Sequence, residues 1–277
     1  MKPAAFTYHR AYDIQETTAL LGELGPDAKI LAGGQSLVAM MNFRLARPSA
    51  LVDITRVPGL DYLENDAQGL RVGALTRHRT VETAKQPGFE VLSRAARWIG
   101  HYPIRCRGTF GGSIAHGDAT AEWCVLAVLL KAVIVLQGPE NRREVAAGDF
   151  FHGFLTTAAE PDEMIVEVRF PEPARHAALT EFSQRQGDFA IVAAGARLDL
   201  VDGAVLASRI VLGGVADKPQ LVQVDLAGQP TTGETWRAAG EAAAAQVNPP
   251  SDGHGSSAYR KKLTATLVAR ALAEAAA

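Results

Sequence analysis

Two glycine-rich segments constrain this chain more than anything else in it: LAGGQSLV, Leu31 to Val38, and GTFGGSIAHG, Gly108 to Gly117. Each carries a Gly-Gly pair followed closely by a hydroxyl, at Gly33-Gly34-Gln35-Ser36 and at Gly111-Gly112-Ser113. Without a Cβ, the backbone N–H groups of such a loop can approach a ligand closely, and successive amides can form a concavity that suits an anion. Either segment alone reads equally well as a turn with a left-handed glycine. Two of them, each beside an apolar stretch, suggest a ligand with two linked phosphates held between two loops. Neither is a GxGxxG fingerprint, and neither is followed by the Lys-Ser/Thr of a Walker A loop. A nicotinamide or ATP site is therefore less favoured than a dinucleotide such as FAD.

The 277 residues, 47% hydrophobic and 21% charged, suit a globular chain of about two domains. A net charge of −2 gives no basic field for a phosphate backbone, so no nucleic-acid partner is expected. The apolar runs Val125 to Leu130 and Ala132 to Leu136 are separated by Lys131 and are too short to span a bilayer. The beginning, MKPAAFTYHR, lacks the apolar stretch of a secretory signal. The two cysteines, Cys106 and Cys124, form neither a CxxC pair nor the four-thiolate set of an iron–sulfur cluster. With no HExxH and seven scattered histidines, no metal site is expected. A cytoplasmic location follows as the default for a chain without a disulfide framework.

Periodicity and turn chemistry place the elements. Ala11 to Leu24 reads as a helix capped by Asp13, with Glu16 as capping-box partner and Gly25-Pro26 as the stop. Ala28 to Ala32 reads as a buried strand entering the first glycine segment, and Ser36 to Arg44 as the start of a helix. Strand, glycine turn and helix start are the order in which backbone dipoles meet an anion. Further strands are expected at Ala50–Ile54, Gly69–Gly73, Ala132–Leu136 and Asp162–Phe170, and helices at Thr80–Ala84, Val91–Ile99 and Glu122–Leu130. Pro171 to Arg175 reads as a linker. Beyond it, Ala193–Val201 and Val205–Gly213 pair as a hairpin around Asp202-Gly203, followed by helices at Ala238–Ala245 and Tyr259–Ala277. Gly213-Gly214 reads as a turn.

The motifs together resemble the FAD-binding medium subunit of the molybdenum hydroxylases, the group of xanthine dehydrogenase and carbon monoxide dehydrogenase. The resemblance runs through FTYHRAYDIQETTALL, ILAGGQSLVAMMNFRLARPSALVDITRVPGL, IGHYPIRCRGTFGGSIAHGDATAEW, DEMIVEVRFP, QGDFAIVAAGARL, LGGVADKP and SSAYRKKLTATLVARAL, essentially the whole chain. It implies an α+β fold: a PCMH-type FAD-binding domain over 1–173, with α/β subdomains of about 1–57 and 58–173, then a small α+β domain over 174–277 with an antiparallel sheet and helices. It implies that Ala32, Gly33, Gly34, Gln35 and Ser36 wrap one side of the pyrophosphate, and that Thr109, Gly111, Gly112 and Ser113 take the other. Glu122 matches an acid that binds a cofactor hydroxyl; the alternative is a helix N-terminal acid that complements the dipole. Ile165 matches an apolar position near the adenine or flavin edge, or is simply a core residue of its strand. Gly100, within Ile99 to Tyr102, would lie by the isoalloxazine, and Asp188 and Phe189 would approach it from the second domain.

Cys106, Ser183 and Tyr102-Pro103 depart from commoner residues of the family, which leaves the polar contacts at the flavin edge open. No catalytic residue is expected in this chain, since the flavin carries the redox chemistry. The resemblance further implies a large subunit with a molybdenum cofactor, a small subunit with two [2Fe-2S] clusters, and assembly as a dimer of heterotrimers. The substrate expected is an N-heterocyclic or aromatic compound. The alternatives are the medium subunit of a carbon monoxide dehydrogenase, a stand-alone FAD oxidase, and a module that has kept the fold and lost its flavin. Met40, Met41 and Phe43 are candidates for an exposed or partner-covered patch, or for a helix packed on its own core.

Overall fold

The computed structural model describes residues 2–277. The chain opens with β1 (Thr7–Arg10), α1 (Ile14–Leu24), β2 (Ala28–Leu31), α2 (Leu37–Asn42) and β3 (Ala50–Asp53). The three strands form a parallel sheet in the order β1-β3-β2. Asp13 caps α1, its carboxylate accepting from the Glu16 amide at 2.7 Å. Glu16 answers at 2.7 Å, but on the Tyr12 amide, one residue before the position a capping box would use. Gly25, at φ 77°, returns its N–H to Leu21 and stops the helix.

The next stretch runs through β4 (Leu63–Asp66), β5 (Gly69–Gly73), α3 (His78–Thr83), α4 (Glu90–Ala96), α5 (Tyr102–Arg107), α6 (Phe110–His116) and α7 (Glu122–Leu129). It continues with β6 (Val133–Gln137), β7 (Arg142–Ala146), α8 (Ala147–Phe150), β8 (Phe151–Gly153), β9 (Thr156–Thr157) and β10 (Met164–Phe170). An antiparallel sheet of order β4-β5-β10-β6-β7 backs the helices. Seven of the eight residues of α7 are buried, Trp123 to Leu129, so this helix has no solvent face and must be enclosed on all sides. Trp123 stacks on Phe110 at 4.7 Å between ring centroids, and Phe110 meets Phe170 edge-on at 6.1 Å.

The enclosing is completed by the last part of the chain. There β11 (Ala177–Phe182), β12 (Val192–Val201), β13 (Ala204–Gly213) and β14 (Gln220–Val222) form an antiparallel sheet in sequence order, followed by α9 (Gly233–Ala245) and α10 (Ser257–Ala276). One face of this sheet packs on α9 and α10. The other lies on α7: a Cβ on Gly195 would stand 3.0 Å from Leu129 and 3.4 Å from Val125, and Arg209 Nε donates to the Val128 carbonyl at 3.2 Å. The hairpin turn has Asp202 and Gly203 both at positive φ, 50° and 77°, as a two-residue type I′ turn requires.

The α+β class and the two-part architecture, ending in a smaller part built of an antiparallel sheet and helices, therefore hold. One local expectation does not. The second glycine segment is mostly helix α6, with Thr109 as its N-cap. The Pro171–Arg175 stretch lies outside any element, between β10 and β11, and is held down: the Ala174 amide donates to Gly88 at 2.7 Å and a Cβ on Gly88 would lie 2.6 Å from Pro173. No helix among the described residues is long and apolar enough to cross a membrane.

Candidate functional site

The chain leaves β2 at Leu31 and turns through Ala32 to Ser36 into α2, with Gly34 at φ 71°. A Cβ on Gly33 would sit 2.4 Å from the Arg107 carbonyl oxygen and 2.8 Å from the Gly108 Cα. The two glycine segments, about seventy-five residues apart in sequence, thus touch backbone to backbone, and only glycine at position 33 permits it.

Their amides differ. Among the described residues, those of Gly33, Gly34, Gln35, Ser36 and Leu37 have no acceptor; the Gln35 side chain folds back on the Gly33 carbonyl at 2.9 Å. A run of unpartnered amides bent around one left-handed glycine is an anion nest. In the second segment the amides other than that of Thr109 are engaged. Phe110 donates to Thr76 at 2.8 Å, Gly111 to Ala74 at 2.9 Å, Gly112 to Thr109 Oγ1 at 3.2 Å and Ser113 to the Thr109 carbonyl at 3.1 Å. That side offers hydroxyls, from Thr109 and the half-buried Ser113, and no run of free amides.

The second segment is held by Ala74 to His78. Besides the two bonds from Phe110 and Gly111, the His78 amide donates to the Gly108 carbonyl at 3.2 Å and the Arg77 guanidinium donates to the Arg107 carbonyl. The His78 ring lies against Gly108, where a Cβ would meet Nε2 at 2.6 Å. Trp123 Nε1 donates to His78 Nδ1 at 2.9 Å, which leaves the ring proton on Nε2. Burial above all, then the nearby Arg77 and Arg105, push the imidazole down to about 4. Because the folded value lies below that of the unfolded chain, this contribution to stability is complete above pH 6.5 and is lost as pH falls towards 4. At ~1.4 kcal/mol per unit it amounts to about 3 kcal/mol. Urea midpoints of the protein at pH 6.5 and 4.5 should show the loss, and His78→Asn should flatten the difference while lowering stability at both.

Gly100, at φ 49°, lies at the start of α5. Its carbonyl and that of Ile99 accept from Arg105 at 3.0 and 3.2 Å, and Arg105 is itself paired with Glu82 at 2.8 Å. From the C-terminal domain Gly187 presses on this turn, a Cβ there falling 2.8 Å from the His101 ring and 3.1 Å from Gly100. Asp188 and Phe189 follow directly on Gly187 in the chain. Asp188 is paired with Arg185 at 3.0 Å, and Phe189 and Tyr102 are both mostly exposed. Ile165, in contrast, is a buried core residue of β10.

Glu122 opens α7. Burial first, then the carboxyl of Glu181 and lastly Asp118, raise it well above the usual carboxylate range. Of the apolar trio after the first loop, Met41 is buried while Phe43 is 65% exposed, joined by Leu45 at 75%. His78, Trp123, Arg105 and Glu181 are absent from the residues expected at the site. A lone His, Arg or Glu at the edge of a helix or strand carries no spacing that would single it out.

The model described as the FAD binding domain in molybdopterin dehydrogenase matches residues 4–173, and that of the CO dehydrogenase flavoprotein C-terminal domain matches 177–275. The chain is 41% identical to the 6-hydroxypseudooxynicotine dehydrogenase complex subunit alpha of Paenarthrobacter nicotinovorans, over 99% of this chain and 96% of that one. It is 35% identical to the carbon monoxide dehydrogenase medium chain of Hydrogenophaga pseudoflava, over 98% and 97%. The structure superposes on quinoline 2-oxidoreductase from Pseudomonas putida 86 with a TM-score of 0.95 at 36% identity, over 100% of this chain and 98% of that one. Two such models matched in tandem, on a fold whose first glycine segment presents a run of free amides, make this chain a member of the FAD-binding medium-subunit family of the molybdenum hydroxylases.

Proposed function

We propose that the chain holds one FAD non-covalently and relays electrons within a three-subunit molybdenum hydroxylase. The observation that carries this reading is the row of five unpartnered amides, Gly33 to Leu37, wrapped around left-handed Gly34 and pressed against Arg107-Gly108. These amides, with Ala32 behind them, suit the pyrophosphate. Thr109 and Ser113 add hydroxyls from the other side, while Gly111 and Gly112 let α6 approach closely. Glu122 faces a hydroxyl or ring edge of the cofactor, and Gly100 and Asp188 border the flavin. FAD supplies the ability to take electrons from one-electron donors and pass them on in pairs. The protein's part is to bind, orient and shield it, and no side chain is assigned a covalent step.

The electrons come from two [2Fe-2S] clusters on a small subunit, which receives them from a molybdenum cofactor on a large one, and leave to an external acceptor. The complex is a dimer of such heterotrimers in the cytoplasm. The substrate is an N-heterocyclic or aromatic compound. That choice is supported by relatives named for nicotine and caffeine, at 36% and 32% identity, beside the one named for quinoline. The cofactor domain ends at 173, with its first subdomain closing near 57, and the second domain fills 174–277.

The test is purification of the complex from its native source, followed by acid precipitation. One FAD per chain should be released into the supernatant, with molybdenum and iron in the same particle. A colourless complex would remove the cofactor, and colour retained in the pellet would replace non-covalent binding with a covalent link.

A further inference from the structure

Most half-buried arginines of this chain face a carboxylate. Arg71, Arg79, Arg105, Arg143, Arg169 and Arg197 each have a glutamate within 4 Å. Among the described residues two half-buried arginines have no such partner, Arg77 and Arg209. A guanidinium withdrawn from water without a counter-charge is costly, so each needs another source of negative charge. Arg209 finds one inside the protein. Its Nε donates to the Val128 carbonyl at 3.2 Å, in the last turn of α7, where the helix dipole is negative.

Arg77 also donates to the end of a helix, to the carbonyl of Arg107, the last residue of α5. That bond uses one of the five N–H groups of the guanidinium. Among the described residues the side chain has no second acceptor. The location differs from that of Arg209, because the Arg107 carbonyl oxygen is the atom that abuts the first glycine segment, 2.4 Å from where a Cβ on Gly33 would stand. The Arg77 guanidinium and the first free amide of the nest therefore meet at one oxygen. The backbone of Arg77 is fixed there too: it bridges to Thr109, the N-cap of α6, and stands at the start of α3. The surrounding charges do not neutralise it. Arg105 is taken by Glu82 at 2.8 Å, and the exposed side chain of Arg107 adds a further cation without a carboxylate partner among the described residues.

We infer that Arg77 is the cation of the cofactor site, its guanidinium set against the pyrophosphate that the amides of Gly33 to Leu37 cradle. The amides supply partial charges and direction, and the planar fork of an arginine supplies a full charge with donors spaced for phosphate oxygens. The inference rests on the reading that the nest holds the pyrophosphate of FAD. It gives Arg77 two tasks: to hold the Arg107 carbonyl, and with it the contact between the two glycine segments, and to balance the charge of the ligand.

The test uses the full chain, flavin-free. Inorganic pyrophosphate should raise its melting temperature more than chloride does at the same ionic strength, and the difference should vanish in Arg77→Gln. A glutamine can still donate to the Arg107 carbonyl, so the flavin-free variant should itself melt within a few degrees of the native chain. FAD affinity, read from the quenching of flavin fluorescence, should fall on the order of tenfold to a hundredfold in Arg77→Gln, the size of a hydrogen bond to a charged group. Native affinity should weaken as chloride rises from about 50 to 500 mM, and that of Arg77→Gln much less. Arg77→Lys should keep the salt dependence and recover part of the affinity. FAD affinity or salt dependence equal in the native chain and Arg77→Gln would overturn the inference, as would pyrophosphate that acts no better than chloride. Should Arg77→Gln fail to fold, salt-sensitive FAD binding by both the native chain and Arg77→Lys upholds the charge, and salt-insensitive binding by the native chain overturns it. If no variant and no native chain binds FAD while pyrophosphate still separates native from Arg77→Gln, the flavin reading fails and the cationic site stands.

Discussion

Gly111→Val is expected to cripple the fold itself, before any question of flavin arises. The Gly111 amide donates to the Ala74 carbonyl at 2.9 Å, and a Cβ would stand 2.6 Å from the Ala74 Cβ and 2.8 Å from its Cα. Those neighbours are backbone and a methyl group, which cannot swing aside. A branched side chain would drive α6 off the end of β5, expose Phe110 and Ile114, both fully buried, and break the hydrogen bond. Overpacking together with a lost buried bond should cost about 3 kcal/mol or more. Thermal melting of the flavin-free protein should show a drop of ten degrees or so or more, on the order of a few degrees per kcal/mol for a chain of this size. An unchanged melting temperature with flavin lost would instead make Gly111 a contact of the cofactor.

Gly34→Val should do the reverse. Its Cβ would meet only side chains, Leu31 Cδ1 and Val38 Cγ2, both at 3.2 Å, so crowding is mild. The obstacle is the backbone, since φ 71° is a conformation that a β-branched residue resists by about 1–2 kcal/mol or more. The turn relaxes by swinging that residue to negative φ, and the five amides then no longer converge. FAD affinity should fall on the order of a hundredfold, about 2.7 kcal/mol, while the flavin-free protein melts within a few degrees of the native one. Gly34→Asn, whose side chain tolerates the left-handed region, should recover part of the affinity. Equal losses for asparagine and valine would show that the conformation of residue 34 is not what the cofactor needs.

The contrast between these two glycines marks where sequence reading stops. The Gly33-Gly34 segment is recognisable because strand, turn and helix start follow one another within a dozen residues, and each is a local signal. Asp13 and Glu16 of α1, and Asp202-Gly203 of the hairpin, are legible for the same reason. GTFGGS looks like a second loop, since two adjacent glycines weaken a helix. It folds as a helix because Ala74 and Thr76 accept its first amides, and those acceptors lie more than thirty residues away. β1 escapes notice because TYHR has no clean alternation, and three of its four residues stay exposed on the edge of the small sheet. Among the site residues, Ile165 is buried in its strand, a place that both of its readings share.

The engaged amides of the second segment also bear on how such a chain would change if selection for its cofactor were relaxed. Gly111 is tied to Ala74, and Gly108 to the ring of His78, by contacts internal to the protein. A descendant that had lost its flavin but kept its shape would be obliged to retain them. Gln35 and Ser36 in the first segment carry no comparable duty to the fold, and would be free to drift once nothing bound there. The GTFGG string in a distant relative is therefore poor testimony that flavin is still present. The AGGQS turn is the better witness, although the less conspicuous of the two.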